Sequence, residues 1–191
     1  MNRSVLSLLL TGILALPSAA GAQGYDYRVL HLIEDRHTHA IIRVSTRPEA
    51  GDPPDRGRAA CNDVAALDRK GRNIALAFGR MFQRSGIHVD DIMTSRVCRN
   101  IEAARLLQIG PVKESALLDP IDGEEYPERR IDALLGEIDA LRPAETVLLL
   151  THAKNIDALT GETLAPGEGL VFRLPPFGDI EVLGRFDLPP H

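Results

Sequence analysis

Three residues of this chain have side chains that could together hold an oxyanion: Arg43, Arg99 and His152. Two guanidiniums offer planar N–H forks that match the oxygens of a tetrahedral anion in pairs, and an imidazole can donate, accept or exchange a proton near neutral pH. Each lies at the end of a short apolar run. Arg43 closes HAIIR within 39–44, Arg99 follows 91–95, and His152 follows the uninterrupted VLLL of 147–150. In open α/β sheets, ligands gather beyond the carboxyl ends of parallel strands, so three such groups point to one crevice. A helix beginning after Arg99 would add its N-terminal N–H groups for the same anion.

The elements that must position these groups follow from the patterning. Short β-branched or apolar runs alternate with helix-period segments, which predicts a single α/β domain with a mostly parallel central sheet and helices on both faces. Besides the three runs already named, 169–174 and 180–186 read as strands split by a Pro-Pro-Phe-Gly turn, and 111–120 holds an edge strand. Asp68 is placed to cap a helix running to Arg84, with Ile74, Ala77, Phe78, Met81 and Phe82 on its inner face and Gly86 as its stop. A second helix carries Ile101, Ala104 and Leu107. A third opens at Pro127 and turns Ile131, Leu134, Leu135, Ile138 and Leu141 inward. A short helical lead-in occupies 25–34, and the Gly-, Pro- and charge-rich stretch 48–58 is loop.

Composition narrows the partners. The 191 residues carry a net charge of −5 with no Lys/Arg block, which argues against nucleic acid or anionic membrane. Absence of Trp and scarcity of aromatics argue against a base- or sugar-stacking platform. Arg3, the apolar run 5–16, Pro17 and the small residues up to Ala22 have the layout of a secretory signal peptide cleaved after Ala22, the run being too short for a permanent anchor. The expected mature domain is therefore 23–191, in the periplasm or secreted. In that setting Cys61 and Cys98 are expected to form a disulfide beside Arg99, worth roughly 4 kcal/mol on the chain-entropy model. Neither cysteine has zinc-ligand spacing, and nothing indicates a metal, a nucleotide cofactor or an oligomeric state.

With these residues in view, the chain resembles the histidine phosphatase superfamily, of phosphoglycerate-mutase-like fold, and within it the small exported members. The likeness rests on Leu67-Asp68-Arg69-Lys70-Gly71-Arg72, on Thr94-Ser95-Arg96-Val97-Cys98-Arg99, and on Thr151-His152-Ala153-Lys154-Asn155-Ile156 running to Leu159-Thr160-Gly161, with Gly167-Glu168 beyond. It implies that Arg43, Arg99 and His152 bind phosphate and that a mid-chain carboxylate serves as general acid. Asp119 is the candidate for that acid, with Glu124 and Glu125 as rivals. Cys61 and Cys98 fall where the exported members carry a cysteine pair.

One departure touches the chemistry directly. The superfamily signature is R-H-[GA], whose histidine attacks phosphorus; the matching triplet here is Arg43-Val44-Ser45. Valine has no lone pair and cannot form a covalent intermediate. Arg36-His37-Thr38 copies the signature superficially, but it precedes the first strand and is expected at the opposite end of the sheet. Arg47 adds positive charge near the mouth. The expectation is a protein that binds phosphate or a small phosphorylated ligand with little or no turnover. The alternatives are a phosphomonoesterase using His152 or a water activated by it, and a structural or protein-binding domain with a vestigial pocket.

Overall fold

The computed structural model describes residues 27–35, 37–46, 61, 67–121, 123, 125, 127–141, 145–175 and 179–188. The expected signal peptide 1–22, Arg36, Arg47, Glu124 and the turn residues 176–178 lie outside the described residues. The chain opens with a short helix α1 (Tyr27–His31) and a 3-10 turn (Leu32–Glu34), then enters β1 (Thr38–Ile42). There follow α2 (Arg69–Ser85), β2 (Asp91–Thr94), α3 (Cys98–Leu107) and β3 (Val112–Glu114). A 3-10 turn (Ala116–Leu118), α4 (Pro127–Asp139), β4 (Val147–Leu150), α5 (Ala153–Thr160), β5 (Glu168–Arg173) and β6 (Glu181–Asp187) complete it.

These strands form one sheet in the order β3-β2-β4-β1-β5-β6. The four strands from β3 to β1 are parallel; β5 runs antiparallel to β1, and β6 antiparallel to β5. The sheet is thus mixed but mostly parallel. Helix α5 is short, about 12 Å at the usual rise, and Gly161 ends it in the left-handed conformation at φ 69°. Strand β5 then begins beside the end of β1, Gly169 pairing with Ile42, and runs back antiparallel.

Alternate strand residues supply two separate cores. Ala40, Ile42, Ile92, Leu148 and Leu150 pack with Ile74, Phe78 and Phe82 of α2 and Ala103, Ala104 and Leu107 of α3. Ile41, Met93, Leu149 and Leu170 face the other way, against Ile131, Leu134 and Ile138 of α4 and Ile156 and Leu159 of α5. Strands buried on both faces lose the polar-out alternation, which is why VLLL carries no period of two. Helix α2 begins where its cap residue requires: Asp68 accepts from the Gly71 N–H at 2.7 Å, and Gly86 (φ 69°) stops it. Gly79 lets α2 and α3 approach, since a Cβ there would stand 2.2 Å from the Leu107 carbonyl oxygen.

Two boundaries differ from the sequence expectation. Strand β1 ends at Ile42, short of Val44, because the ladders on both sides stop there: Ile42 pairs with Leu150 of β4 and with Gly169 of β5. Helix α3 starts at Cys98, so Arg99 sits inside its first turn and not ahead of it.

Candidate functional site

The topology fixes where a crevice must open. Strands β1 and β4 are parallel neighbours, yet β1 leads to α2 on one face while β4 leads to α5 on the other. Connections that part in this way leave a gap beyond the strands' carboxyl ends. Val44 and His152 stand two residues past the last paired residues, Ile42 and Leu150. The N-terminal turn of α3, on the α2 side, brings Arg99 to the same place.

His152 is 2% exposed and Arg99 is equally buried. Arg99 Nη2 lies 3.1 Å from His152 Nδ1, and His152 Nε2 lies 3.0 Å from Ser95 Oγ. A guanidinium can only donate, so Nδ1 accepts; the neutral ring then carries its proton on Nε2 and donates to Ser95. Asn100 Nδ2 donates to the same Ser95 oxygen at 2.9 Å. Its 3.5 Å approach to Nε2 sets donor against donor and is no bond. Ser95 and Asn100 carry no role in the sequence reading. The available signal was an asparagine directly after Arg99 and a serine four residues before it.

Arg43 is half-buried and donates from Nη1 to the Leu164 carbonyl at 2.6 Å. Its backbone is gripped by the same loop: the Arg43 N–H donates to Glu168 O at 3.0 Å, and the Gly167 N–H donates to Arg43 O at 2.8 Å. Val44, by contrast, is 3% exposed and belongs to the apolar cluster containing Leu67, Ile74, Ala75 and Leu150. Next to it, the buried Ser45 hydroxyl finds no hydrogen-bond partner.

Asp119 is engaged on both oxygens by Arg96. The Arg96 backbone N–H donates to Oδ1 at 2.8 Å, while Nε and Nη2 donate to Oδ2 at 2.8 and 2.6 Å. Its segment is tied further: Asn155 Nδ2 donates to Asp119 O at 2.8 Å, Asn155 Oδ1 accepts from the Ile121 N–H at 3.3 Å, and Thr151 Oγ1 donates to Leu118 O at 2.7 Å. These bonds tie the Asp119 segment to the end of β2 and to the start of α5. Glu125 is exposed. His37 stands at the start of β1, the far end of the sheet from His152. Cys61 and Cys98 are disulfide-bonded, with a Cα–Cα distance of 5.1 Å, joining the first residue of α3 to the segment before α2.

The sequence motifs now divide by role. In Leu67–Arg72, Asp68 caps α2 and also accepts from Thr46 Oγ1 at 2.5 Å, and Arg72 Nη2 pairs with Glu102 of α3 at 2.8 Å. In the 151–161 stretch, Thr151 and Asn155 anchor the Asp119 segment and Gly161 turns the chain. In the same stretch His152 meets Arg99.

No protein-family model and no curated protein sequence matches the chain. Solved structures do. The protein histidine phosphatase SixA complexed with tungstate superposes with a TM-score of 0.56 at 14% identity, over 78% of this chain and 96% of that one. A phosphoserine phosphatase from Entamoeba histolytica, a histidine-to-alanine variant in complex with phosphoserine, gives 0.56 at 11% identity, over 78% and 96%. Phosphoglycerate mutase from Plasmodium falciparum gives 0.50 at 14%, over 78% and 90%. With its β1–β4 crevice and mixed six-stranded sheet, this chain has the fold of the histidine phosphatase superfamily, that of the phosphoglycerate-mutase-like proteins.

Proposed function

We propose that this protein is an exported pseudophosphatase, which binds phosphate or a small phosphorylated ligand between Arg43, Arg99 and His152 and turns it over little or not at all. The observation that carries the reading is Val44: where the superfamily places its nucleophile, an isopropyl group is packed into the core. Loss of a principal nucleophile lowers the rate by about a millionfold in dissected enzymes. His152 is a poor substitute as it stands, because Arg99 occupies the Nδ1 lone pair and Nε2 carries the proton. Two neighbours support binding without turnover: one of this fold was captured with the tetrahedral oxyanion tungstate, and another, lacking a histidine, with phosphoserine. The leader-like residues 1–22 and the Cys61–Cys98 bridge support export.

The test is hydrolysis of an aryl phosphate by the purified protein, with Arg99→Ala as control. No turnover above that control is expected; turnover that the substitution abolishes overturns the reading. Phosphate should raise the melting temperature of the wild type and not of Arg99→Ala. A second reading is favoured by the near-complete burial of Arg99 and His152, namely a domain whose pocket survives only as structure. It requires a melting temperature that phosphate leaves unmoved.

A further inference from the structure

The loop 161–168 holds Arg43 through a peptide group that is itself held from its other side. Leu164 O accepts from Arg43 Nη1 at 2.6 Å, and the Ala165 N–H of the same peptide group donates to Glu168 Oε2 at 2.6 Å. A trans peptide is planar with its C=O and N–H opposed, so a bond on one side sets the direction of the other. Glu168 is gripped in turn from β6, where Arg185 Nη2 donates to the same Oε2 at 3.2 Å. That guanidinium also donates to the Thr163 carbonyl, on the neighbouring peptide group, and from Nη1 to Glu162 at 3.3 Å. Its charge offsets the repulsion between Glu168 and Asp187, which stand opposite each other across β5 and β6. The Leu164 side chain is buried in the core on the α5 side, so the clasp has only the orientation of the peptide left to fix.

We propose that Arg185 and Glu168 are positioning residues for the anion site: by fixing the 164–165 peptide group they hold the Arg43 guanidinium in place before a ligand arrives. This rests on the anion-binding reading above. A guanidinium has five N–H donors, so a carbonyl on Nη1 leaves others for an oxyanion. What the carbonyl removes is rotamer freedom, which a loose arginine would have to lose on binding. The Arg43 backbone is fixed by the same loop, through Glu168 O and the Gly167 N–H. The bonds of this clasp involve neither Arg99 nor His152, so it acts on one of the two guanidiniums.

The two positioning residues carry opposite charges, which separates positioning from long-range attraction. By charge alone, losing Arg185 weakens anion binding and losing Glu168 strengthens it; losing the clasp weakens it in both cases. Titration calorimetry with inorganic phosphate should therefore show Arg185→Leu and Glu168→Ala each binding about tenfold more weakly than wild type. Glu168→Gln, which removes the charge but keeps a side-chain oxygen for the Ala165 N–H, should stay within about twofold of wild type. Nitrogen-15 NMR of the arginine side chains, with Arg43→Lys assigning the signal, should show the Arg43 guanidinium held in the wild type and in Glu168→Gln, and freely rotating in Glu168→Ala. Binding by Glu168→Ala as tight as wild type, equal losses in the Ala and Gln variants, or an Arg43 signal still held in Glu168→Ala each overturns the proposal alone. Where Glu168→Ala does not fold, Arg185→Lys decides: it keeps the charge but cannot fork across three acceptors, so weaker binding supports the clasp and unchanged binding overturns it. If the wild type binds no phosphate, the anion-binding reading falls, and this inference with it.

Discussion

At the end of β1, Val44 turns an isopropyl group into a cluster of Leu67, Ala75 and Leu150; at the end of β4, His152 is as buried, but it is held by Arg99 and Ser95. The two sides of one crevice are thus closed by different physics. Apolar packing tolerates exchange of one hydrophobic shape for another. A buried polar chain does not, since removing one member strands its neighbour at about 1–3 kcal/mol. The contrast predicts that substitutions at the end of β4 cost more stability than apolar exchanges at the end of β1.

The largest expected effect breaks the polar side. Arg99→Ala deletes the largest fully buried side chain among the described residues and removes its donor from His152 Nδ1. Chemical denaturation should show a loss of about 4 kcal/mol, the sum of a large-to-small truncation and an abandoned partner. A loss below about 1 kcal/mol is the range of a surface residue, and would deny the network its structural weight.

A second buried histidine tests whether burial alone makes the difference. His39, in β1 at the far end of the sheet, packs against Phe172 and accepts the Val147 N–H on Nδ1 at 3.3 Å. Burial, helped by the nearby His37 charge, lowers its pKa from 6.5 to about 4. Between those values the unfolded chain binds a proton that the folded protein refuses. Stability is therefore full above pH 6.5 and falls as the pH drops towards 4, by at most on the order of 3 kcal/mol. His39→Asn, which keeps an acceptor for Val147, should flatten melting temperature against pH across that window. An unchanged slope places the acid sensitivity in another group.

Placing an imidazole at the end of β1 joins the two sides. Val44→His should destabilise by about 2 kcal/mol, since an imidazole must enter a packed apolar cluster. It should also raise aryl phosphate hydrolysis measurably above wild type. Radiolabel from a phosphodonor should then be trapped on the variant and not on the parent. A variant that folds, binds phosphate and stays inactive shows that the end of β1 lacks more than an imidazole.

Much of this was legible in the chain because it depends on neighbours in sequence. Asp68 and Gly86 mark both ends of α2, and the buried runs mark their strands, since caps and apolar periods are local. The three strand-end cations could be listed from the sequence. What they hold could not, because Leu164 lies 121 positions from Arg43, and Ser95 lies 57 from His152. Asp119 shows the same limit: the resemblance offered it as a candidate acid, but its partner Arg96, from the end of another strand, could not be read from the sequence. The antiparallel course of β5 was equally hidden, because an apolar run does not show which way its strand is paired.

The smallest effect concerns the strand beside the polar side. Thr94, the last residue of β2, is fully buried and its hydroxyl finds no partner, although the next residue, Ser95, is bonded to His152 and Asn100. A hydroxyl without a partner gains nothing from burial and still loses its water, so Thr94→Val, close in shape, should stabilise by up to about 1 kcal/mol. Phosphate binding should be unchanged, since the substitution alters no bond in the Ser95–His152–Arg99 chain. A stability loss instead would mean that the hydroxyl is satisfied in solution. The polar side would then extend one residue further along β2 than its hydrogen bonds now indicate.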